Sequence, residues 1–309
     1  MLGRSARRRC LAGLLLLFSI AAGAQQPVPT KATRPLFEFA GGAAGPMVFP
    51  TDVAVGTQGR VYVVDGGNHR IVAFGVNGQY LFSFGRHGEG HGEFNSPVGV
   101  GTDPAGRVYV ADSGNNRIQI FDGQGGFQGS FPVVLNGKPA RPIDVAANAK
   151  GDKLFVTSNT NHRVMVFSPS GSLIRHWGGG GSGDGEFRYP ATVTISRDGL
   201  VHVVDVLNTR VQVFDEKGGR GYRVGDWGVL AGQLFRPKGV GVDEKGRVYV
   251  SDSYMEVIQV FDTDYRFMHV LGEGGKPQRF KTPVGITVDG DRLYVVEQMA
   301  NKVSVHALP

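Results

Sequence analysis

The chain has 309 residues, 41% of them hydrophobic, and a formal net charge of +6. That is enough apolar side chain to bury a real core, in one large domain or two. The 48 glycines, and the lack of long Ala/Glu/Lys/Leu-rich stretches, argue against a helical bundle and for many short strands joined by tight turns.

The charge is unevenly placed. Arg4, Arg7, Arg8 and Arg9 form a positive region, Leu11 to Ile20 an apolar run too short to span a bilayer comfortably, and Ala22-Gly23-Ala24 a small-residue cleavage site. Residues 1–24 are therefore read as a signal peptide, with a mature start near Gln25 and a periplasmic or secreted location. The leucine-rich run favours general secretion, the Arg7-Arg8-Arg9 cluster leaves the twin-arginine route open, and an uncleaved anchor is the alternative. After cleavage no membrane span is expected. The signal takes four of the 33 lysines and arginines, leaving 29 against 27 acidic residues. A nucleic-acid partner thereby loses its compositional support. The sole cysteine, Cys10, also lies in the signal without a lipobox, so the mature chain has no disulfide, thiolate metal site or thioether-linked haem.

Residues 25–35 read as a Pro-rich lead-in, and "LFEFAGGAAGPMVFP" (36–50) as a strand followed by a Gly-rich connection. A unit then recurs six times. "GRVYVVDGGNHRIVAF" (59–74) returns as "GRVYVADSGNNRIQIF" (106–121), "DKLFVTSNTNHRVMVF" (152–167), "GLVHVVDVLNTRVQVF" (199–214), "GRVYVSDSYMEVIQVF" (246–261) and "DRLYVVEQMANKVSVH" (291–306). Each copy follows a proline and a shorter β-type run. The prolines are Pro50, Pro97, Pro142, Pro190, Pro237 and Pro283, spaced 47, 45, 48, 47 and 46 residues apart. Four strand-like segments, a to d, repeated at this period predict the blades of a β-propeller.

The sixth copy reaches His306 and the chain stops at Pro309, so its blade has no outer strand of its own. The run from Leu36 supplies one. Residues 36–309 are expected to be a single all-β, six-bladed β-propeller whose N-terminal strand closes the last blade and removes the open edges.

The polar turns Asp65-Asn68-Arg70, Asp112-Asn115-Arg117 and Asp205-Asn208-Arg210 resemble those of NHL repeats, across nearly the whole mature chain. Copies five and six depart from the pattern: Met255-Glu256-Val257 replaces Asn-x-Arg, and Glu297 replaces the Asp. The resemblance implies the six-bladed propeller but no single activity, since relatives include interaction scaffolds, RNA binders, sensor domains and an amidating lyase. The recurrent polar triad itself is read as structural, holding backbone groups and tying neighbouring turns together.

Residues 49–66 are distantly similar to the peptidyl-α-hydroxyglycine α-amidating lyases, whose zinc histidines follow the blade prolines. Here those places hold Thr51, Val98, Ile143, Ala191, Lys238 and Val284, none a zinc ligand of that kind. The glycines Gly178, Gly180 and Gly183 lead into a strand rather than a helix, so dinucleotide binding is not expected there. One position beyond the zinc slots stand Asp52 and Asp144, which could share a hard cation such as Ca²⁺ in the channel; hydrogen bonds to neighbouring backbone are the favoured reading. No other cofactor is expected.

The b–c and d–a connections should emerge on one face, where Arg141, Arg188, Arg236 and Lys238 gather with Tyr189 and Trp227 for stacking. The expected function is that of a monomeric, non-catalytic exported scaffold offering this face to a protein, peptide or glycan of the cell envelope. The alternative is a metal-dependent propeller lyase or lactone hydrolase with a channel cation.

Overall fold

A computed structural model describes residues 27–219 and 221–309; the segment read as a signal lies outside them. Six antiparallel sheets of four main strands follow one another around an axis. In blade 1 the strands are Pro50–Val55, Val61–Asp65, Arg70–Phe74 and Tyr80–Phe84, running from the axis outwards. Blades 2 to 5 begin with Pro97–Thr102, Pro142–Ala147, Pro190–Ile195 and Pro237–Val242, and blade 6 with Pro283–Asp289. These six innermost strands contact one another in a closed ring.

Blade 6 takes its outer strand from the other end of the chain. Arg34–Phe39 pairs antiparallel with Lys302–Ala307, with Glu38 opposite Ser304 and Phe39 opposite Val303. The strand begins two residues before Leu36. Just upstream, Thr30–Lys31 adds a short parallel strand to Phe267–Glu273, the outer strand of blade 5. The chain start thus grips two neighbouring blades.

Strand b is buried along its length in every blade, save only its first residue in blade 6, because it is covered by the sheets on both sides. This accounts for its near-continuous Val/Tyr/Phe runs. The core is divided into six apolar clusters, one between each pair of neighbouring blades. In the cluster joining the last blade to the first, Phe39 of the closing strand meets Phe74 at 4.1 Å between ring centres.

The polar triads do more than hold their own turns. Asp112 accepts the Asn95 N–H at 2.7 Å through one carboxylate oxygen, and Asn115, Arg117 and Gln119 through the other. Arg117 then donates to the carbonyls of Glu89, Gly90 and Glu93, pinning the connection that enters the blade. Asp65–Arg70 and Asp205–Arg210 repeat the bracket. The Gly-rich run after Trp177 is held in the same way, Arg210 donating to Gly183 and Glu186 carbonyls. In blade 3, Ser158 stands where the Asp would be, and Arg163 turns instead to the Gly178 carbonyl at 2.5 Å.

Candidate binding site at the channel and loop face

The ring of inner strands encloses a channel. Its upper part is a cavity of about 200 Å³ lined by the residues following the blade prolines, among them Thr51 and Lys238, and by Gln298 from a turn of blade 6, with Asp52 and Asp144 at its floor. The same two carboxyls line the cavity below, so they form the neck between the two. Glycines make room for them: a Cβ on Gly285 would lie 2.3 Å from Asp52 Oδ1, and one on Gly99 2.4 Å from Asp144 Oδ1.

Both carboxyls are buried and both are engaged. Asp52 accepts the Val100 N–H of blade 2 at 2.9 Å. Asp144 accepts its own blade's Val145 N–H at 2.7 Å and the Val193 N–H of blade 4 at 2.8 Å. The two meet at this neck, near enough for each to affect the other's ionisation. Burial first, and the neighbouring Asp144 carboxylate second, push Asp52 well above the usual carboxylate range. Burial pushes Asp144 up to about 6, while the Val193 and Val145 N–H groups hold it down. Both are therefore pushed towards the neutral form, and they titrate as a pair.

A hard cation in the neck would have to compete with three N–H groups for carboxylate oxygens. The hydroxyls beside it are committed too: Thr51 donates to the Val98 carbonyl at 2.6 Å and Thr192 to that of Lys238 at 2.7 Å. Among the described residues no group of three or more His, Cys, Asp or Glu side chains is placed to hold a metal ion. Lys238 lies half-buried at the channel mouth, its ammonium held below the usual lysine range by burial and then by Arg236.

The other binding candidates sit outside the channel on the face that carries the connections. Arg141, Arg188 and Arg236 are exposed; their backbone N–H groups are anchored on Thr160, Asp205 and Asp252, leaving the guanidiniums in solvent. Trp227 is 69% exposed and Tyr189 51%. Sequence reasoning passed over Phe49, Leu207, Tyr254 and Met299, which are exposed on the same face. Their position in b–c turns or just before a blade proline was the available signal.

Backbone strain marks the same rim. Phe49, Ser96, Tyr189 and Thr282, each directly before a blade proline, have φ of 47°, 50°, 58° and 52°. A left-handed conformation is unfavourable for such side chains and is held here by clasps between blades. The Tyr189 N–H donates to His162 Nδ1 at 3.3 Å, that of Ser96 to His69 Nδ1 at 3.2 Å and that of Phe49 to Asn301 Oδ1 at 2.8 Å.

Residues 47–74 and 94–121 match the NHL repeat, and residues 145–221 match a family described as a 6-bladed beta-propeller. The chain carries NHL repeats in a six-bladed β-propeller. The sequence matches no curated protein. Among solved structures, this NHL propeller resembles a gluconolactonase from Xanthomonas campestris at 16% identity and a TM-score of 0.64, over 91% of this chain and 99% of that one. It resembles virginiamycin B lyase from Staphylococcus aureus at 14% identity and a TM-score of 0.59, over 84% and 80% of the two chains. The Cps50 (Swd1) β-propeller domain of Myceliophteria thermophila aligns at 10% identity and a TM-score of 0.62, over 90% and 100%. Two enzymes and a domain of a different kind share the architecture, so at these identities the likeness speaks for fold alone.

Proposed function

We propose that the NHL propeller is an exported, non-catalytic binding scaffold whose loop face receives a protein, peptide or glycan partner of the cell envelope. What carries the reading is the grouping of solvent-exposed Phe49, Tyr189, Trp227 and Tyr254 with the guanidiniums of Arg141, Arg188 and Arg236, unpaired among the described residues, on one rim. Aromatic side chains and arginines are the residues that anchor interfaces, and exposed apolar groups on a rigid scaffold mark recognition surfaces. The test is capture from the native cell envelope with tagged wild type and with the R141E/R236E/K238E and Y189A/W227A variants. Specific capture by wild type alone supports the scaffold; equal capture by all three removes this face from the account.

The Asp52–Asp144 neck favours a second reading, a cation-dependent lyase or lactone hydrolase. Above the titration of the pair both carboxyls would be ionised, and two carboxylates facing one channel suit a hard cation. Calcium titration followed by thermal unfolding at pH 8 tests it, a rise in Tm supporting the reading. An unchanged Tm at millimolar Ca²⁺ would remove it.

A further inference from the structure

Blade 5 lacks the arginine of the bracket, and the space that arginine fills elsewhere is open. Val257 pairs with Asp252 across the b–c turn as Arg70, Arg117 and Arg210 pair with Asp65, Asp112 and Asp205. The connection entering blade 5 nonetheless follows its usual path. Gln259 accepts the Gly232 N–H at 2.8 Å and donates to the Gln233 carbonyl, as Gln119 and Gln212 do for their own connections. Replacing a guanidinium by an isopropyl group while keeping the backbone path leaves a cavity. Its volume is about 320 Å³, at the lower end of small-ligand sites.

The chemistry of the cavity follows from what is left. Asp252 does not solicit a cation there, because the N–H groups of Phe235, Arg236, Tyr254 and Met255 satisfy its carboxylate. The walls are apolar, with Leu230, Tyr254, Met255 and Val257 among them. Leu230 and Tyr254 are each 60% exposed at its mouth, apolar surface left in water. One charge stands at the lip: the exposed guanidinium of Arg279 donates to the Met255 carbonyl and, among the described residues, pairs with no carboxylate.

We propose that this cavity binds a small aromatic acid, the ring system between Leu230, Tyr254 and Val257 and the anionic group on Arg279. An open, mainly apolar pocket with a single cation at its rim fits an aryl carboxylate in charge and in apolar character. The site is separate from the channel and does not depend on the partner-binding reading.

The test is calorimetric titration of the full mature chain with 2-naphthoate and with the neutral 2-naphthamide. Wild type is expected to bind the acid more tightly than the amide. Val257→Arg restores the bracket found in blades 1, 2 and 4, filling the slot; it should weaken both ligands at least tenfold while Tm stays level or rises. Arg279→Gln should weaken the acid roughly tenfold, to the level of the amide, and leave the amide unchanged. Val257→Phe fills the cavity without charge and makes the same test should the arginine variant not fold. No saturable binding of 2-naphthoate by wild type, or wild-type binding by both filled variants, overturns the proposal.

Discussion

Asp52 of blade 1 and Asp144 of blade 3 meet at the neck of the channel, both buried and both lining the cavities on either side of it. The pair bridges blades directly, since each carboxylate also accepts an N–H from the blade that follows its own. Both pKa values lie above those of the unfolded chain, that of Asp144 at about 6 and that of Asp52 well above the ordinary carboxylate value. The stabilisation they provide is therefore complete at pH values below the unfolded carboxylate range and is lost as pH rises through about 6. His202 acts in the opposite sense: burial pulls it down to about 4, so its contribution is complete above the ordinary histidine range and fades as pH falls towards 4. Asp52→Asn isolates the pair's titration, because its amide keeps the size of the side chain and can still accept the Val100 N–H. Denaturant titrations at pH 5 and pH 8 should show wild type losing on the order of 2 kcal/mol relative to Asp52→Asn over that interval. A constant difference between the two proteins would mean that this pair does not titrate in the folded state over that interval.

The arginine bracket makes a sharper stability prediction. Arg117 is the only cation on the buried Asp112 carboxylate among the described residues, and it also serves three backbone carbonyls of the incoming connection. Arg117→Met keeps the aliphatic stem but strands a buried charge, which costs about 3 kcal/mol or more. Adding Asp112→Asn removes that charge and should recover part of the loss. Urea titrations of the single and double variants measure this, and an Arg117→Met protein as stable as wild type would reduce the bracket to decoration.

Closure by the first strand can be tested by removing it. Deleting residues 25–41 takes away the partner of Lys302–Ala307 and the Phe39 ring from the cluster between the last blade and the first. The inner strand of blade 1 would then rest on an incomplete neighbour, and the ring would carry an open edge. The expected outcome is loss of a single cooperative transition in calorimetry, with aggregation at lower temperature. Phe39→Ala, a milder change, should keep one transition and lower stability by about 3 kcal/mol.

The features legible in the sequence were those carried by local pattern. The blade prolines, the double-sided burial of strand b and the orphaned last blade each depend on a few neighbouring residues, so spacing alone predicts the ring and its closing strand. The Asp–Arg brackets were legible as residues but not in their reach: that Asp112 would hold Asn95, seventeen positions earlier, depends on how the connection folds back over the turn. Asp52 and Asp144 could be placed at the channel because they hold the same position in two blades. That they are buried close enough to titrate together depends on the bore of the neck, which Gly99 and Gly285 help to set by contact between blades. Likewise the loss of arginine at Val257 was visible as a broken motif, whereas the cavity it leaves needs the connection to keep its path without the guanidinium.

Tyr189 offers a means of separating recognition from folding. Its ring stands 51% exposed with φ of 58°, a backbone state more natural to glycine, and its edge meets His162 at 5.3 Å between ring centres. Tyr189→Gly relieves about 1 kcal/mol of left-handed strain and gives up a similar amount through the freer unfolded chain. Stability should therefore change by less than about 1 kcal/mol in either direction. If Tyr189 is held there for contact with a partner, the same variant should lose most of the envelope capture shown by wild type, while Leu81→Ser, on an outer strand away from the loop face, should keep it. A Tyr189→Gly protein that folds and still captures the partner in full would show that the strained aromatic serves only the clasp between blades 3 and 4.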